Sequence, residues 1–386
     1  MRPGERPELR YVGLETIEAN TGRFQEGELS KTPEVPQANS FYFGTEHVLY
    51  GKLRPYLNKV ALPDFEGKCS TEIIPLLPRP ELDRRYLAYF LRCGHIVSRI
   101  SDRTAGSRMP RADMDFVLDM QLPLPSIDEQ RRIVDLLSRA EGIVSLRREA
   151  QAKAQAIIPA LFLDMFGDPV RNPKGWAVAP LSDVAEVISG VAKGRQLDAA
   201  ETIERPYLRV ANVKDGYLDL QEIKSIAIRP TELSRLRIEP GDLLMTEGGD
   251  PDKLGRAALW GGEIAECVHQ NHVFKVRSDR TRLAPMYLRA LAGGTYGKGY
   301  FLRVAKRTTG IASINKTQLS AFPVVLPPLD LQQAFERHVE ATEAIGEAQT
   351  AALLKAAATF DALLAQVFSE GWQQAAVRQQ EEEAAA

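Results

Sequence analysis

The sequence is poor in the residues that build disulfide frameworks and metal sites. Among 386 residues there are only five histidines and three widely separated cysteines, Cys69, Cys93 and Cys267. An odd number of distant cysteines argues against a disulfide framework and against a CxxC-type zinc site. The close pair His269 and His272 has no further His or Cys nearby and no HExxH motif. We therefore expect no metal site.

Long apolar runs are also missing. No run approaches the ~20 residues that a membrane-spanning helix needs, and the N-terminus lacks the apolar core of a signal peptide. The apolar fraction of 44% and the charged fraction of 26% are those of an ordinary soluble protein. These features predict a cytoplasmic protein without a membrane partner, long enough for two domains.

Catalytic motifs are absent or incomplete. Residues 63–68 (PDFEGK) only echo a nuclease site, because their carboxylates are two positions apart and should come from separate strands. Residues 294–299 are rich in glycine but match no phosphate-binding loop, and residues 172–175 (NPKG) do not match the motif of amino-methyltransferases. No serine lies in a GxSxG context. We therefore expect a non-catalytic chain that carries no cofactor.

The small net charge of −2 conceals an uneven distribution. Residues 168–325 contain 23 basic and 18 acidic side chains, a net charge of +5. Residues 326–386 contain 3 and 10, a net charge of −7. Because charge asymmetry between segments is more informative than the total, the weak overall charge does not exclude a polyanionic partner.

The chain repeats itself at a distance near 200 residues. The connection LPLPSIDEQRR has a second version in LPPLDLQQAFER, in which Gln333 follows Gln130 by 203 positions. Residues 103–106 (RTAG) likewise resemble residues 307–310 (RTTG). This pattern predicts a tandem duplication, in which each copy consists of a strand-rich globular part followed by one long helix.

The long helices are the clearest prediction. Apolar residues recur in steps of three and four over about 40 residues in each copy, as in a coiled coil. Ser126 and Asp330 are placed as N-terminal caps. The alternative is that each amphipathic helix packs only on its own domain. The predicted seam residues are Ile133, Leu136, Ile143, Ile157 and Leu161 in the first helix and Phe335, Val339, Leu353, Phe360 and Leu363 in the second.

These elements predict an α+β fold with two pseudo-repeated α/β domains and two long helices. A Gly- and Pro-rich segment, residues 167–175, marks the boundary between the copies. The predicted division is a first globular domain (1–125), a central helix (126–167), a second globular domain (168–325), a C-terminal helix (326–371) and a polar tail expected to be disordered (372–386). The order of the strands is left open.

Two basic segments precede the two long helices at equivalent places. Residues 298–316 carry five positive charges and no acid, and residues 99–111 carry four arginines against one Asp. Lys and Arg neutralise phosphates, while Ser, Thr, Asn and Arg read base edges, so both segments are typical of nucleic-acid binding. A solvated basic loop is the alternative. The predicted DNA-binding residues are Lys52, Arg54, Tyr56, Lys59, Arg103, Thr104, Ser107, Arg108 and Arg111 in the first copy, and Gln270, Asn271, His272, Lys298, Arg303, Lys306, Arg307, Thr308, Ser313, Asn315 and Lys316 in the second.

With these motifs the chain resembles the specificity subunits of type I restriction–modification enzymes. The resemblance covers nearly the whole sequence. Its most specific parts are LYGKLRPYLNKV (49–60), CSTE (69–72), LPLPSIDEQRRIVDLL (122–137) and ALFLDMFGD (160–168). The tandem layout is itself typical of that family.

The resemblance implies two target-recognition domains held apart by two helices that form an antiparallel coiled coil. Each domain of such a protein reads one half of a split double-stranded DNA sequence. Two methyltransferase subunits bring S-adenosylmethionine and modify adenine, and two motor-nuclease subunits that use ATP can join. Because the two globular parts differ strongly in sequence, the expected target is asymmetric. Two alternatives stay open: a helical-hairpin scaffold for protein partners, and the specificity subunit of another defence system.

The two copies begin differently. The segment KGWAVAPLSDV opens the second copy some thirty residues before Tyr207, whereas only ten residues precede Tyr11. Residues 369–372 (SEGW) after the second helix resemble residues 174–176 (KGW) after the first. Either the start of the first copy was trimmed or misassigned, or the C-terminal segment supplies the missing piece. The likeness of the two segments favours a circular arrangement that brings the two ends of the chain together.

Overall fold

A computed structural model describes residues 9–25, 40–106, 108–250, 253–308 and 310–369. The chain divides into two compact units. Unit 1 combines Met1–Ala150 with Gln349–Ala386, and unit 2 is Gln151–Ala348. Each unit therefore unites one globular part with segments of both long helices. The predicted five-part division stays a prediction, because compactness alone does not show which segments act as functional domains.

The described residues of unit 1 form short strands in three small sheets. Strand β1 pairs in parallel with β5, which pairs antiparallel with β2; β3 lies between β4 and β6; and β7 and β8 form a hairpin. The strands are β1 (Arg10–Val12), β2 (Ser40–Phe43), β3 (Val48–Gly51), β4 (Val60–Ala61), β5 (Gly67–Ser70), β6 (Ile73–Leu76), β7 (Thr104–Ala105) and β8 (Arg111–Ala112).

Three helices follow in unit 1 before the first long helix. Asp83 and Asp113 cap two of them, each accepting hydrogen bonds from two backbone N–H groups of the first turn. The helices are α1 (Arg84–Arg92), α2 (Gly94–Ser101), α3 (Met114–Leu118) and the long α4 (Ile127–Phe166), with short 3-10 turns at Leu14–Thr16 and Pro55–Leu57.

Unit 2 contains four sheets. An antiparallel sheet has the order β10-β17-β13-β15, and a second joins β12, β11 and β16, in which β11 and β16 are parallel. The third has the order β14-β19-β18, and β20 pairs with β9. The strands are β9 (Ala177–Pro180), β10 (Ala185–Ser189), β11 (Ile203–Leu208), β12 (Lys224–Ile228), β13 (Leu243–Thr246), β14 (Gly248–Gly249), β15 (Ala257–Leu259), β16 (Val268–His269), β17 (Val273–Ser278), β18 (Lys306–Thr308), β19 (Ile311–Ser313) and β20 (Pro323–Leu326).

The helices of unit 2 repeat the order found in unit 1. A pair of helices, a hairpin and a one-turn helix lead into the second long helix, as in unit 1. They are α5 (Leu233–Leu236), α6 (Pro285–Gly293), α7 (Thr295–Val304), α8 (Lys316–Ser320) and the long α9 (Leu329–Val367), with 3-10 turns at Leu181–Asp183, Ala199–Glu201, Val210–Asn212 and Pro230–Glu232. The predicted α+β pseudo-repeat with two long helices is confirmed.

The register predicted for the repeat is wrong by one residue. The Gln130 carboxamide accepts from the N–H of Asp83 and donates to two carbonyls, those of Glu81 and Pro125. Gln332, not Gln333, makes the same three bonds in unit 2, with Ala284, Arg282 and Pro327. Both amides are fully buried. At this connection the two copies therefore align at a distance of 202 residues, with Gln332 equivalent to Gln130. The sequence alone could not distinguish Gln332 from Gln333, because the two glutamines are adjacent in LDLQQ.

The long helices supply apolar residues to the core of each unit. In unit 1, Val134, Leu137 and Val144 of α4 pack in one cluster with Leu364 and Val367 of α9. The two helices run in opposite directions there, because Arg147 contacts Gln349 while Glu141 and Ala357 line one cavity. In unit 2 the Phe335 ring lies 5.7 and 5.3 Å from the rings of Phe162 and Phe166.

The predicted seam needs correction in α4. Leu136, Ile143 and Ile157 are 49%, 53% and 48% exposed, although the periodic pattern makes them seam residues. Their neighbours Val134, Leu137 and Val144 are buried, because the globular part covers a face of α4 that lies one residue away. The remaining predicted seam residues are buried or half-buried: Ile133, Leu161, Phe335, Val339, Leu353, Phe360 and Leu363.

The predicted N-terminal cap is confirmed for α4 and corrected for α9. The N–H of Glu129 donates to the Ser126 hydroxyl at 3.3 Å, directly before α4. Asp330 lies inside the first turn of α9, so it is not the residue that precedes the helix. A carboxylate in this turn still favours the helix through its dipole.

By length and hydropathy, α9 would pass as a membrane span. Its high hydropathy comes largely from an alanine-rich sequence, and Phe335, Val339, Phe360 and Leu364 lie buried in the two cores. Such composition is weak evidence for a membrane location. The predicted tail and the segment from Glu370 onward lie outside the described residues.

Candidate nucleic-acid interface

In unit 1 the two predicted basic segments lie side by side. The hairpin β7–β8 is joined to the turn that follows β3, because the N–H of Arg54 donates to Pro110 and the N–H of Ala112 donates to Lys52. Leu53 and Arg111 form a β-bridge between these two bonds. Segments that are 50 residues apart in sequence therefore form one basic surface, which we call the unit 1 head (residues 52–56, 103–106 and 108–112).

The unit 1 head carries several exposed cations. Arg54, Arg103 and Arg108 are exposed, and Tyr56 is 53% exposed. The Arg103 guanidinium lies 4.8 Å from the centre of the Phe116 ring, an interaction that orients it. Lys52 is half-buried and Thr104 lies on β7. Exposed arginines beside an aromatic ring are suited to phosphates and base edges.

Arg111 is held by an ion pair. Its guanidinium donates to both carboxylate oxygens of Glu72, with distances of 2.7 to 3.1 Å. The hydrogen bonds from Arg111 lower the pKa of Glu72. A bidentate pair of this kind fixes the plane of the guanidinium.

Lys59 does not belong to this surface. Its ammonium group is half-buried and donates to the carbonyl of Leu14 at 2.6 Å. Burial lowers the pKa of Lys59. The prediction of a DNA contact at this position is corrected, because the side chain already secures the β3–β4 turn to the first segment of the unit.

In unit 2 the equivalent segments are joined by the same backbone contacts. The N–H of Ile314 donates to Glu247, as Ala112 does to Lys52. Gly248 pairs with Ser313 in β14 and β19, as Leu53 does with Arg111. The hairpin β18–β19, with the residues on either side of it, forms the unit 2 head (residues 247–250, 303–308 and 310–316).

The unit 2 head is basic and exposed. Arg303, Lys306, Arg307, Asn315 and Lys316 are all exposed. The hairpin turn contains Gly310 with φ +82°, and the corresponding turn of unit 1 contains Gly106 with φ +93°. Only glycine adopts such a φ readily, which explains why both RTAG and RTTG end in glycine. The structure thus brings these predicted residues of each copy together around equivalent hairpins.

Other predicted residues of unit 2 lie outside the hairpin. The ammonium group of Lys298 is paired with the Asp215 carboxylate at 2.5 Å on α7. Gln270 and Asn271 are half-buried in the turn between β16 and β17. The His272 imidazole is exposed, with Nδ1 2.6 Å from a carboxylate oxygen of Glu247.

The neighbouring His269 serves the core. It is fully buried, and its Nδ1 lies 2.6 Å from the carbonyl of Val273. Burial lowers the pKa of His269 to about 4. The two histidines of HQNH therefore have different environments, and neither belongs to a cluster of metal ligands among the described residues.

Two predicted DNA-binding side chains have no described position. Ser107 lies outside the described residues, and the side chain of Thr308 is not described. Ser313 is half-buried on β19.

The sequence pattern missed two acidic residues at the heads. The Glu72 carboxylate pairs with the Arg111 guanidinium, and a carboxylate oxygen of Glu247 lies 2.6 Å from Nδ1 of His272. A pattern defined by clustered basic residues does not include acidic residues such as these two. The signal that could have found Glu72 is its place in the two-residue turn between β5 and β6, in the segment CSTE that carries the family resemblance.

Comparison with known proteins gives a consistent result. The family model of the type I restriction modification DNA specificity domain matches residues 18–155. The putative type I restriction enzyme MjaX specificity subunit of Methanocaldococcus jannaschii is 27% identical over 162 residues, which cover 42% of this chain and 38% of that protein. The type I restriction enzyme StySPI specificity subunit of Salmonella potsdam is 24% identical over 286 residues, 69% of this chain and 59% of that protein.

The matched part is less than two thirds of the length of these relatives. A chain from a solved structure concerned with complex assembly and conformational transition of the type I R-M system superposes with a TM-score of 0.60. It is 21% identical, and the match covers 94% of this chain and 91% of that one. This likeness shows a shared fold. Residues 18–155 match the type I restriction modification DNA specificity domain, and a larger part of the chain is similar to specificity subunits of type I restriction enzymes.

Proposed function

We propose that this chain reads double-stranded DNA as the specificity subunit of a type I restriction–modification system. The target is asymmetric and bipartite, and the head of each unit reads one half-site. The observation that carries this proposal is the repeated frame: a basic hairpin of the same construction in each unit, with different side chains on it. Equal frames with unequal side chains suit two unlike half-sites.

The partners in this proposal are two methyltransferase subunits, and motor-nuclease subunits can join them. S-adenosylmethionine and ATP bind to these partners, and the chain itself contributes recognition without catalysis in the cytoplasm. Exposed apolar residues on the long helices support protein docking. In unit 1, Leu136, Ile143, Leu146 and Leu354 are between 49% and 67% exposed. Apolar side chains exposed in a row are typical of a surface that a partner covers.

A charge-reversal experiment tests the DNA-binding role of the unit 2 head. Lys306→Glu/Arg307→Glu changes two exposed cations of the hairpin. Removing the cation that neutralises one phosphate lowers the salt slope of binding by about 0.9. The slope of log affinity against log salt should therefore fall by up to about 2, together with a large loss of affinity.

The matched control is Lys224→Glu/Arg235→Glu, which alters one exposed lysine and one exposed arginine of unit 2 away from the hairpin. It should keep most of the affinity and the slope. Duplex binding by the complete chain is measured between about 50 and 200 mM salt, the range over which phosphate contacts change affinity most visibly. Equal effects of the two variants would contradict the proposal.

A further inference from the structure

The two heads differ in charge at positions that their backbones make equivalent. Three backbone links define the equivalence. The N–H of residue 52 donates to the carbonyl of residue 72 at 2.9 Å, and the N–H of residue 247 donates to that of residue 272 at 3.0 Å. The carbonyls of residues 52 and 247 each accept a 2.8 Å bond from the strand that follows the hairpin turn. The third link is the bridge from residue 53 to 111, or from 248 to 313.

The side chains at these equivalent backbone positions differ in charge between the two units. Lys52 of unit 1 is replaced in unit 2 by Glu247, and Glu72 is replaced by His272. The third position exchanges Arg111 for Ser313. In unit 1 an exposed cation is thus held by a less exposed carboxylate. In unit 2 a partly exposed carboxylate is paired instead with a more exposed imidazole.

Unit 1 presents hydrogen-bond donors at this site. The Arg111 side chain is 42% exposed, while Glu72 beneath it is 25% exposed. Glu72 orients the guanidinium, which keeps further N–H groups for an outside acceptor. The acceptor pair in the major groove that suits arginine best is O6 and N7 of guanine.

Unit 2 presents an acceptor instead. The Glu247 side chain is 31% exposed and His272 is 54% exposed, with 2.6 Å between them. The bond to His272 uses one carboxylate oxygen and fixes the position of the other. Carboxylates at a base edge accept from an exocyclic amino group, N4 of cytosine above all, and N6 of adenine offers the same kind of donor.

We propose that these three positions determine base selectivity, with unit 1 selecting guanine and unit 2 a base that presents an amino group. This inference rests on the proposed function and deepens it. It assigns the difference between the half-sites to a small set of residues on a common frame. The remaining cations of the heads then position the duplex through its phosphates.

The test transplants the unit 1 identities into unit 2. Glu247→Lys/His272→Glu/Ser313→Arg is made in the complete chain, and bound sequences are selected from a library of random duplexes. A good bidentate contact discriminates against the wrong base by about tenfold or more. One position of the unit 2 half-site should change from cytosine or adenine to guanine by that factor, while the unit 1 half-site stays the same.

The matched control is Glu204→Lys, an exposed position on β11 with the same net change of two charges. It should leave the selected sequence unaltered. If the exchanged protein fails to fold, Glu247→Gln decides, because it keeps the size of the side chain and weakens only the acceptor. Its preference at the same position should fall towards equality among the bases.

The outcomes separate the two proposals. If the unaltered chain selects no sequence, the proposed function itself fails. If the unaltered chain is selective and both unit 2 variants keep its preference, the function stands and the selectivity inference is overturned. A change confined to the unit 1 half-site would also overturn it.

Discussion

At the residue scale, buried polar side chains stabilise the same connection in both copies of the repeat. Gln130 and Gln332 each tie a helix start to the chain before it through three hydrogen bonds. A composition-based search sees them only as polar residues in a helix. The repeat in the sequence pointed to this connection, but the hydrogen bonds were needed to choose between the adjacent Gln332 and Gln333.

The glutamine pair allows a controlled test. Gln332→Ala removes three bonds and leaves buried backbone groups without partners, at a cost of about 1–3 kcal/mol for each unsatisfied group. We expect unit 2 to lose several kcal/mol of unfolding free energy, measured by urea titration. Gln333→Ala removes an exposed side chain one position away and should change stability by less than about 0.5 kcal/mol. Equal losses would show that the helix position, not the bonding, matters.

His269 predicts a dependence of stability on pH. Burial depresses its folded-state pKa to about 4 from an ordinary 6.5, so the unfolded chain binds the proton first as the pH falls. The contribution of His269 is fully present above about pH 6.5 and is lost progressively towards pH 4. Between pH 7 and pH 5 the unfolding free energy should fall by about 2 kcal/mol.

The pH effect has its own control. His269→Gln should flatten the unfolding free energy of unit 2 over this interval. His338→Gln, at an exposed position on α9, should leave the slope as it is. A slope that persists in His269→Gln would assign it to other groups.

At the element scale, the sequence predicted helices better than strands. The sequence predicts α4, α9 and the cap at Ser126 directly. A helical period sustained over many residues depends on residues close together in sequence. The pairing of β1 with β5 and of β14 with β19 could not be predicted in this way, since such short strands are set by contacts distant in sequence. The helix faces were misplaced at Leu136 and Ile143 because the globular part, not only the other helix, covers α4.

The helix faces can be tested by truncation. Phe335 is fully buried among aromatic rings, whereas Leu354 on the same helix is 67% exposed. Phe335→Ala should cost unit 2 about 3–5 kcal/mol through reduced burial and the remaining cavity. Leu354→Ala should have little effect on folding. Hydrogen exchange of α9 measures both, and similar protection in the two variants would contradict the burial of Phe335 in the core of unit 2.

At the scale of the whole molecule, the basic heads were largely predictable and their acidic partners were not. Arg103, Lys306 and Arg307 stand out in the sequence because basic side chains outnumber acidic ones in the segments around them. The inclusion of Glu72 and Glu247 depends on backbone bonds between distant segments, which no local pattern contains. The two-part target came from the family resemblance and stays a prediction, which the repeated frame of the two units supports.

Independence of the two heads is the central prediction for the whole molecule. Because each head lies within one compact unit, damage to one should spare the other. Arg54→Glu/Arg103→Glu in unit 1 and Lys306→Glu/Arg307→Glu in unit 2 alter exposed cations of one head each.

The most direct measurement is selection of random duplexes by the complete chain together with the methyltransferase subunits that we propose as its partners. The unaltered chain should enrich two unlike half-sites separated by a gap of fixed length. Each double variant should lose the enrichment of one half-site and keep that of the other. Enrichment of a single uninterrupted sequence, or loss of both half-sites in either variant, would contradict the independence of the two heads.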